Sequence, residues 1–469
     1  MAGGHEDGAP HHRPARRCRR RDRGRRGAAG RHGRGPRDRP SAPRHVRRTG
    51  RRSPSRRKSR RKSRRESRRK SRRNSHRTGR QDTVTRFTES DERLALRASV
   101  QALGRKYGHG YYLDLARSGG HTTEVWQEAG ALGYLSVNVP AEYGGGGGGI
   151  GDLAAVCEEL AAAGVPLLLM VVSPAICATV IARFGTDDQK NALLPRFATA
   201  DLKMAFAITE PDAGSNSHNI TTTARRDGTD WVLTGRKVYI SAVDQADAVL
   251  VVGRLEDART GRLKPALFVV PTDMPGFTYR PIPMDLIATD RQFEVVLDHV
   301  RVPGDALVGS EDAALQQLFA GLNPERIMVA SFYTGMARLA LEKAAEYART
   351  RTVWKVPIGA HQGIAHPLAQ AKVEVELARL MTQKAAALYD AGDDLAAGEA
   401  ANMAKYAAAE AANHAVDQAV QTHGGNGLAS EYGLGAMIGA ARAARIAPVS
   451  REMVLNFVAQ HSLGLPKSY

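Results

Sequence analysis

The spacing of apolar residues changes character twice along residues 84–469, and this order limits the folds that the chain can adopt. Helical spacing comes first, then short β-branched runs such as 248–252 with turn signals such as Asp227-Gly228, and then helical spacing again. Strands and helices do not alternate, so a parallel sheet of βαβ units is not indicated. The order predicts an α+β fold with an N-terminal helical domain at 84–200, a central antiparallel β domain at 201–312 and a C-terminal four-helix bundle at 313–469.

Four segments within 322–469 carry the signals of helices. The first two have apolar residues at helical spacing, and the third is rich in alanine and stops at the glycine-rich residues 424–427. A fourth segment spans 450 to about 461. Helices that follow one another in this way are typical of a bundle.

A basic segment, residues 1–80, precedes this part of the chain. It holds 33 of the 68 Lys and Arg residues but only 5 of the 48 Asp and Glu residues. Residues 81–469 therefore keep 35 basic and 43 acidic residues, a net charge of −8. Because residues 1–83 contain almost no large apolar side chains, we expect them to form a disordered arm.

Three interpretations of this arm stay open. Clustered arginines bind phosphate, which is typical of a nucleic-acid partner, but no aromatic residues interleave with them to stack on bases. A second interpretation is a solvated tail without a partner. The third, which we favour, is a wrongly assigned start codon, with Val84 as the alternative start.

The cysteines and the apolar runs exclude several classes of protein. Cys18, Cys157 and Cys177 form no C-x-x-C pair, and no Cys/His cluster has the spacing of metal ligands. We therefore expect neither a disulfide framework nor a metal site. No apolar run is long enough to span a bilayer and no secretory signal is present, so a cytoplasmic protein without a membrane partner is expected.

The segment 206–215, Phe-Ala-Ile-Thr-Glu-Pro-Asp-Ala-Gly-Ser, joins the helical part to the β part. By itself it is a turn-rich strand entry, which either holds a polar heterocycle or simply forms a loop. Together with Val-Tyr-Ile-Ser at 238–241, it resembles the flavin-binding signature of the acyl-CoA dehydrogenase family. The resemblance covers nearly all of 84–469, because further motifs follow in the family's order and spacing at 140–145, 301–303, 351–362 and 421–427.

This resemblance implies an FAD-dependent oxidoreductase of fatty acid metabolism, which removes two hydrogens from the α and β carbons of an acyl-CoA thioester. It implies an electron-transferring flavoprotein as the electron acceptor. It also implies a homo-oligomer, a tetramer built as a dimer of dimers, because neighbouring subunits share FAD. The motifs do not determine the length or branching of the acyl chain, or whether its carrier is CoA or a carrier protein.

The resemblance also assigns the residues that bind FAD. Tyr239 stands where the family usually has a tryptophan beside the flavin ring, and Ser241 stands where it has a threonine near N5. Arg351 and Gln362 match residues that reach the pyrophosphate and adenosine of a neighbouring subunit's FAD. The other implied FAD-binding residues are Phe206, Ile208, Thr209, Ser215, Ile240, Gln421, Gly424 and Gly425.

The implied chemistry needs a carboxylate that takes the α-proton while a β-hydride passes to the flavin. Most of the family has a Glu just before the last helix, but Pro448 occupies that position here. A minority, resembling isovaleryl-CoA and long-chain dehydrogenases, has the base early in the bundle, which matches Glu325-Arg326. Asn323 as N-cap and Pro324 as the first helical residue would place Glu325 in the first turn of a helix. Glu325 is the predicted base, and the alternative is that it only complements the helix dipole.

Substrate binding is assigned to Ser215, Asn323, Arg326 and Val449. In the family, a backbone N–H at the position of Pro448 helps to polarise the thioester carbonyl, and proline has no N–H. Either Val449 supplies the donor through a one-residue shift, or the activation of the carbonyl is weaker.

Two alternative functions remain: an oxygen-using flavoenzyme of the same fold (an acyl-CoA oxidase or a flavin monooxygenase), and nucleic-acid binding through the basic arm.

Overall fold

The computed structural model of the protein describes residues 89–256, 263–311 and 314–467. The arm predicted at 1–83 and the domain boundary predicted at 312 lie outside these ranges. Within them, a group of helices is followed by one large sheet and then by a second group of helices.

Five α-helices form the N-terminal part: α1 Asp91–Ser118, α2 Thr123–Ala131, α3 Ile150–Ala162, α4 Thr179–Phe184 and α5 Asp187–Ala198. The hydroxyl of Ser90 starts α1 by accepting a hydrogen bond from the N–H of Arg93 at 3.2 Å, as an N-cap does. A buried π-helical segment, Val171–Ala178, leads directly into α4. The helical character predicted for this part of the chain is therefore present.

Seven strands build the central sheet: β1 Met204–Ala207, β2 Thr223–Asp227, β3 Asp230–Ser241, β4 Ala248–Glu256, β5 Leu263–Pro271, β6 Phe277–Pro281 and β7 Gln292–Val302. Their order is β1-β4-β2-β3-β7-β6, and β5 pairs with β4. The pairs β1–β4 and β2–β4 are parallel, and the other pairs are antiparallel.

The predicted fold class is confirmed with one correction, because the sheet is mixed and not purely antiparallel. The Asp-Gly turn at 227–228 does join an antiparallel hairpin, β2–β3. β1, however, is connected to its partner β4 through two other strands, so no tight turn forces the two to run in opposite directions. The turn signals could predict only those pairs that a short turn connects.

The C-terminal part contains the long helices α6 Ala314–Thr350, α7 Gln362–Asp390 and α8 Asp394–His423, and the short helices α9 Met437–Ala443 and α10 Arg451–Phe457. A small hairpin, β8 Thr352–Val353 and β9 Val356–Pro357, joins α6 to α7. The buried face of α8 consists mainly of alanines, among them Ala401, Ala404 and Ala408, which let its neighbours approach closely. Buried residues of α3, the π-helical segment and the three long helices belong to one continuous apolar core.

Pro324 lies well inside α6, so the predicted helix start at Asn323 is wrong. A proline cannot donate the hydrogen bond that the carbonyl of residue 320 would receive in a regular helix. The hydroxyl of Tyr389, on α7, donates to this carbonyl oxygen of Ala320 at 3.0 Å. Because a neighbouring helix supplies the missing donor, α6 continues through the proline, which sequence reasoning along one helix could not anticipate.

Candidate active site

The segment 206–215 leads from the end of β1 towards the surface. Phe206 is buried, and Ile208 and Thr209 are half-buried. The carbonyl oxygen of Thr209 accepts a hydrogen bond from the N–H of Val238 at 2.9 Å. The two parts of the sequence signature, 206–209 and the C-terminal half of β3, therefore lie side by side.

A buried ion pair, which sequence reasoning missed, holds this segment in place. Glu210 and Lys237 are 4% and 0% exposed, and their side chains are 2.9 Å apart. Lys237 Nζ also donates to the carbonyl oxygens of Ile208 at 3.0 Å and Val252 at 2.6 Å. One ammonium group thus connects β3, β4 and the segment after β1. The sequence does contain a signal for this pair. Lys237 is an even number of residues from Trp231 and Leu233, which are buried, so all three side chains point to the same, inward-facing side of β3.

The carboxylate of Glu210 has further donors. Both the N–H and the hydroxyl of Thr221 donate to it, at 2.6 and 2.8 Å, and those of Thr222 donate at 2.9 and 2.6 Å. Burial alone would raise the pKa of Glu210, but the hydrogen bonds from Thr222 and the charge of Lys237 outweigh it and lower the pKa to about 2. Burial lowers the pKa of Lys237 to about 8 in spite of its partner.

The end of β3 presents one aromatic ring to solvent. Tyr239 has a φ of 58° and is 58% exposed, while the next residue, Ile240, is buried. The strand register shifts between Lys237 and Ile240, which turns the tyrosine outward. The hydroxyl of Ser241 accepts a hydrogen bond from Gln292 Nε2 at 3.0 Å. A flat ring and a positioned hydroxyl are what a planar heterocycle requires, and the residues present fit the flavin of FAD.

Ser215, assigned to both FAD and substrate, is exposed on the connection between β1 and β2. No side-chain hydrogen bond fixes it among the described residues, so its hydroxyl is available to a ligand. The structure places it on the same connection as Thr209, but records no direct contact between Ser215 and the predicted base.

Glu325 lies on α6, one residue beyond Pro324. Burial raises the pKa of Glu325 to about 7, although the positive charges of Arg326 and Lys405 act to lower it. Within the described part of the chain, the carboxylate of Glu325 has no hydrogen bond or ion pair. A carboxylate that is poorly solvated and unpaired is typical of a functional group and not of a structural one. The helix-dipole alternative fails, because Glu325 is not in the first turn.

Two of the predicted substrate ligands, Asn323 and Arg326, lie on the same helix as Glu325. Arg326 Nη1 donates to the carbonyl oxygen of Leu322 at 2.8 Å, and its Nε is buried without a partner among the described residues. Asn323 is 9% exposed, and its amide donates to the carbonyl oxygen of Asp394 at 3.2 Å. Asn323 therefore fixes α6 to the start of α8, whereas Arg326 keeps a free N–H for a ligand.

Residues at one end of the bundle form a second cluster. Tyr347, near the end of α6, stacks on His423 at the end of α8 with ring centroids 4.2 Å apart. The amide of Asn426 donates to the hydroxyl of Tyr347 at 3.1 Å. The ends of α6 and α8 thus meet. The predicted FAD-binding residues Arg351, Gln421, Gly424 and Gly425 lie at or just beyond these two ends, Gln362 begins α7, and all five are exposed.

Gly424 and Gly425 leave the backbone of this cluster open. A Cβ added at either position would meet no atom within 4 Å, and Gly424 has a φ of 60°. An extended anionic group can therefore approach the main chain here. These features fit the pyrophosphate and adenosine part of FAD.

Two negative findings apply to the described ranges. No helix there is both long and apolar enough to cross a bilayer. The same residues contain no group of three or more His, Cys, Asp and Glu side chains arranged to hold a metal ion.

Three family models match the chain in succession. They are acyl-CoA dehydrogenase, N-terminal domain, at residues 90–201; middle domain, at 205–300; and C-terminal domain, at 315–463. Together they cover most of the chain that follows the basic arm.

Individual proteins show the same relationship. The chain is 68% identical over 387 residues to acyl-CoA dehydrogenase FadE12 of Mycobacterium tuberculosis, covering 82% of this chain and 100% of the relative. It superposes on butyryl-CoA dehydrogenase from Megasphaera elsdenii with a TM-score of 0.74 and 28% identity, over 78% of this chain and 97% of that one. A glutaryl-CoA dehydrogenase from Mycobacterium smegmatis in complex with FADH2 gives a TM-score of 0.75 and 27% identity, over 82% and 97%.

The family expected from the motifs is thus found independently along the sequence and in the fold. The fold superposes on those of both solved relatives over most of this chain. The chain belongs to the acyl-CoA dehydrogenase family.

Proposed function

We propose that the protein oxidises an acyl-CoA thioester to the trans-2-enoyl-CoA, with Glu325 as the base that takes the α-proton. The observation that carries this proposal is a carboxylate inside α6 that has no hydrogen bond or ion pair among the described residues. Its surroundings support the proposal, because burial raises the pKa of Glu325 to about 7. The protein is an acyl-CoA dehydrogenase that uses FAD, and FAD accepts the β-hydride when bound.

The residues of the chain divide the remaining work. Tyr239 and Ser241 would flank the flavin ring, while Arg351 and Gln362 would hold the other end of a neighbouring subunit's FAD. Arg326 has a buried, unpaired Nε that can orient the bound thioester. The N–H of Val449, which has no acceptor among the described residues, would polarise the thioester carbonyl in place of the N–H that Pro448 lacks.

The substrate class is tested by anaerobic titration of the FAD-loaded protein with short, branched and long acyl-CoAs. We expect one class to bleach the flavin absorbance and to yield one equivalent of trans-2-enoyl-CoA. Bleaching by none of them would overturn the proposal. We propose an electron-transferring flavoprotein as the electron acceptor. If dissolved oxygen rapidly reoxidises the bleached enzyme while product is bound, the result would instead favour an oxygen-using flavoenzyme.

An exposed apolar stripe on α7 supports a homo-oligomer. Val373, Leu377 and Leu380 follow one another at helical spacing, and each is more than half exposed. Neighbouring apolar side chains on a helix surface usually pack against a partner. We propose that a second copy of the chain covers this stripe, as sharing of FAD through Arg351 requires. A tetramer and a cytoplasmic location remain predictions.

Leu377→Arg is expected to reduce the size of the assembly, because burying an unpaired guanidinium in an apolar contact costs several kcal/mol. Light scattering coupled to gel filtration measures this change, and absorbance at the flavin band measures the loss of FAD that should accompany it. Leu94→Arg, at another exposed leucine on α1, serves as the control. An unchanged mass for Leu377→Arg would show that the stripe is not an interface.

A further inference from the structure

Lys405 is a buried ammonium group close to the proposed base. It lies on the alanine-rich face of α8, is 1% exposed, and has Ala401, Ala404 and Ala408 as neighbours on the same face. A lysine is rarely buried to this extent without a specific partner. The reason for its position must therefore lie in what its Nζ contacts.

The direct partner of Lys405 is the backbone of the loop that follows α9. Nζ donates to the carbonyl oxygen of Val449 at 2.5 Å. This hydrogen bond restrains the main chain at Val449, whose N–H has no acceptor among the described residues. The preceding residue is Pro448, so Val449 carries the first N–H available after it.

The charge of Lys405 also acts on the proposed base. Burial lowers the pKa of Lys405 to about 8, and the charge of Arg326 lowers it further, while Glu325, Glu410 and Glu452 act to raise it. In return, Lys405 opposes the rise in the pKa of Glu325 that burial causes. One side chain therefore interacts with both the loop and the carboxylate.

We propose that Lys405 is a positioning residue, which fixes the Val449 N–H towards the thioester carbonyl and keeps the Glu325 carboxylate ionised as a base. This inference rests on the proposed function. It explains how a chain with proline at the usual position of the base keeps a backbone donor in its active site.

Two other contacts, one between α8 and this loop and one between α8 and α9, allow the proposed role to be distinguished from simple structural support. Glu410 pairs with Arg445 at 2.6 Å. The amide of Asn413 donates to the carbonyl oxygen of Ala441 at 2.6 Å. Asn413→Ala removes a contact of α8 with this region but no charge, and it is therefore the matched control.

The test uses the full FAD-loaded chain and the acyl-CoA selected by the titration above. Stopped-flow bleaching under anaerobic conditions is measured between pH 5.5 and 9.5 for the wild type, Lys405→Met and Asn413→Ala. In Lys405→Met the carboxylate loses a nearby positive charge, so the pKa of Glu325 should rise. The acid limb, which is the part of the pH profile where the bleaching rate rises with pH, should therefore move up by about one pH unit or more. The limiting rate should also fall about tenfold or more, because the carbonyl loses a fixed donor.

Asn413→Ala should keep the acid limb of the wild type, since it leaves the charge in place. Lys405→Gln keeps an N–H donor without a charge and should show the same shift of the limb, which covers the case in which Lys405→Met does not fold. An acid limb that stays at the wild-type pH in both Lys405 variants would overturn this inference and leave the proposed function intact. A wild-type protein that no acyl-CoA bleaches would overturn both.

Discussion

Glu325→Gln is expected to fold and to bind FAD normally, and to lower the rate of flavin bleaching by acyl-CoA about a thousandfold. Gln has nearly the shape of Glu but cannot accept the α-proton, and positioned acid–base groups contribute about 10² to 10⁴ in rate. Because the carboxylate of Glu325 has no partner among the described residues, the substitution breaks no contact that supports the fold. Anaerobic stopped-flow measurement of bleaching, with the FAD content of each preparation, checks the result.

The pH profile of the wild type belongs to the same prediction. A base works only when it is ionised, and burial raises the pKa of Glu325 to about 7. The bleaching rate should therefore rise with pH through about 7 and level off above it, and the residual rate of Glu325→Gln should lack this limb. Asp188→Asn, at an exposed acid on α5, is the control and should stay within about twofold of the wild type. Full activity in Glu325→Gln would remove the assignment.

Glu210→Ala is expected to destabilise the protein by about 3 to 5 kcal/mol and to lose FAD. The substitution leaves the ammonium group of Lys237 buried and without its counter-charge, and breaking a buried ion pair from one side costs about that much. It also removes the acceptor of four hydrogen bonds from Thr221 and Thr222. Urea unfolding followed by circular dichroism measures the loss of stability, and flavin absorbance measures the loss of FAD.

Two further variants make this prediction specific. In Glu210→Ala/Lys237→Met no charge is left unpaired, so part of the lost stability should return. Glu376→Ala removes an exposed pair with Lys372 on α7 and should change stability by less than about 1 kcal/mol. If Glu210→Ala unfolds at the same urea concentration as Glu376→Ala, the buried pair of Glu210 and Lys237 does not stabilise the fold.

The same pair gives a pH dependence of stability. Ionised Glu210 is favoured in the folded protein, since its pKa is lowered from 4.5 to about 2. A group of this kind stabilises the fold fully above about pH 4.5, and its contribution is lost as the pH falls through about 2. Acid unfolding of the wild type should accordingly include this step, and Glu210→Ala should lack it.

The sequence alone determined the order of helices, strands and helices and the family to which the chain belongs. These features depend on local periodicity and on motifs whose order and spacing can be counted along the chain. It also predicted Glu325 as the base, because the Glu-Arg pair and the missing acid at Pro448 are both visible in the sequence. The direction of β1 beside β4 was not visible, since no turn between them fixes it.

Only the tertiary structure decided how these residues are held. The passage of α6 through Pro324 depends on a hydroxyl of Tyr389, 65 residues further along the chain. The pairing of Glu210 with Lys237 and the contact of Lys405 with Val449 likewise join residues that are distant in sequence. The physical reason is the same in each case: a proline or a buried charge is unfavourable locally, and a partner that compensates it is brought close only when separate elements pack together.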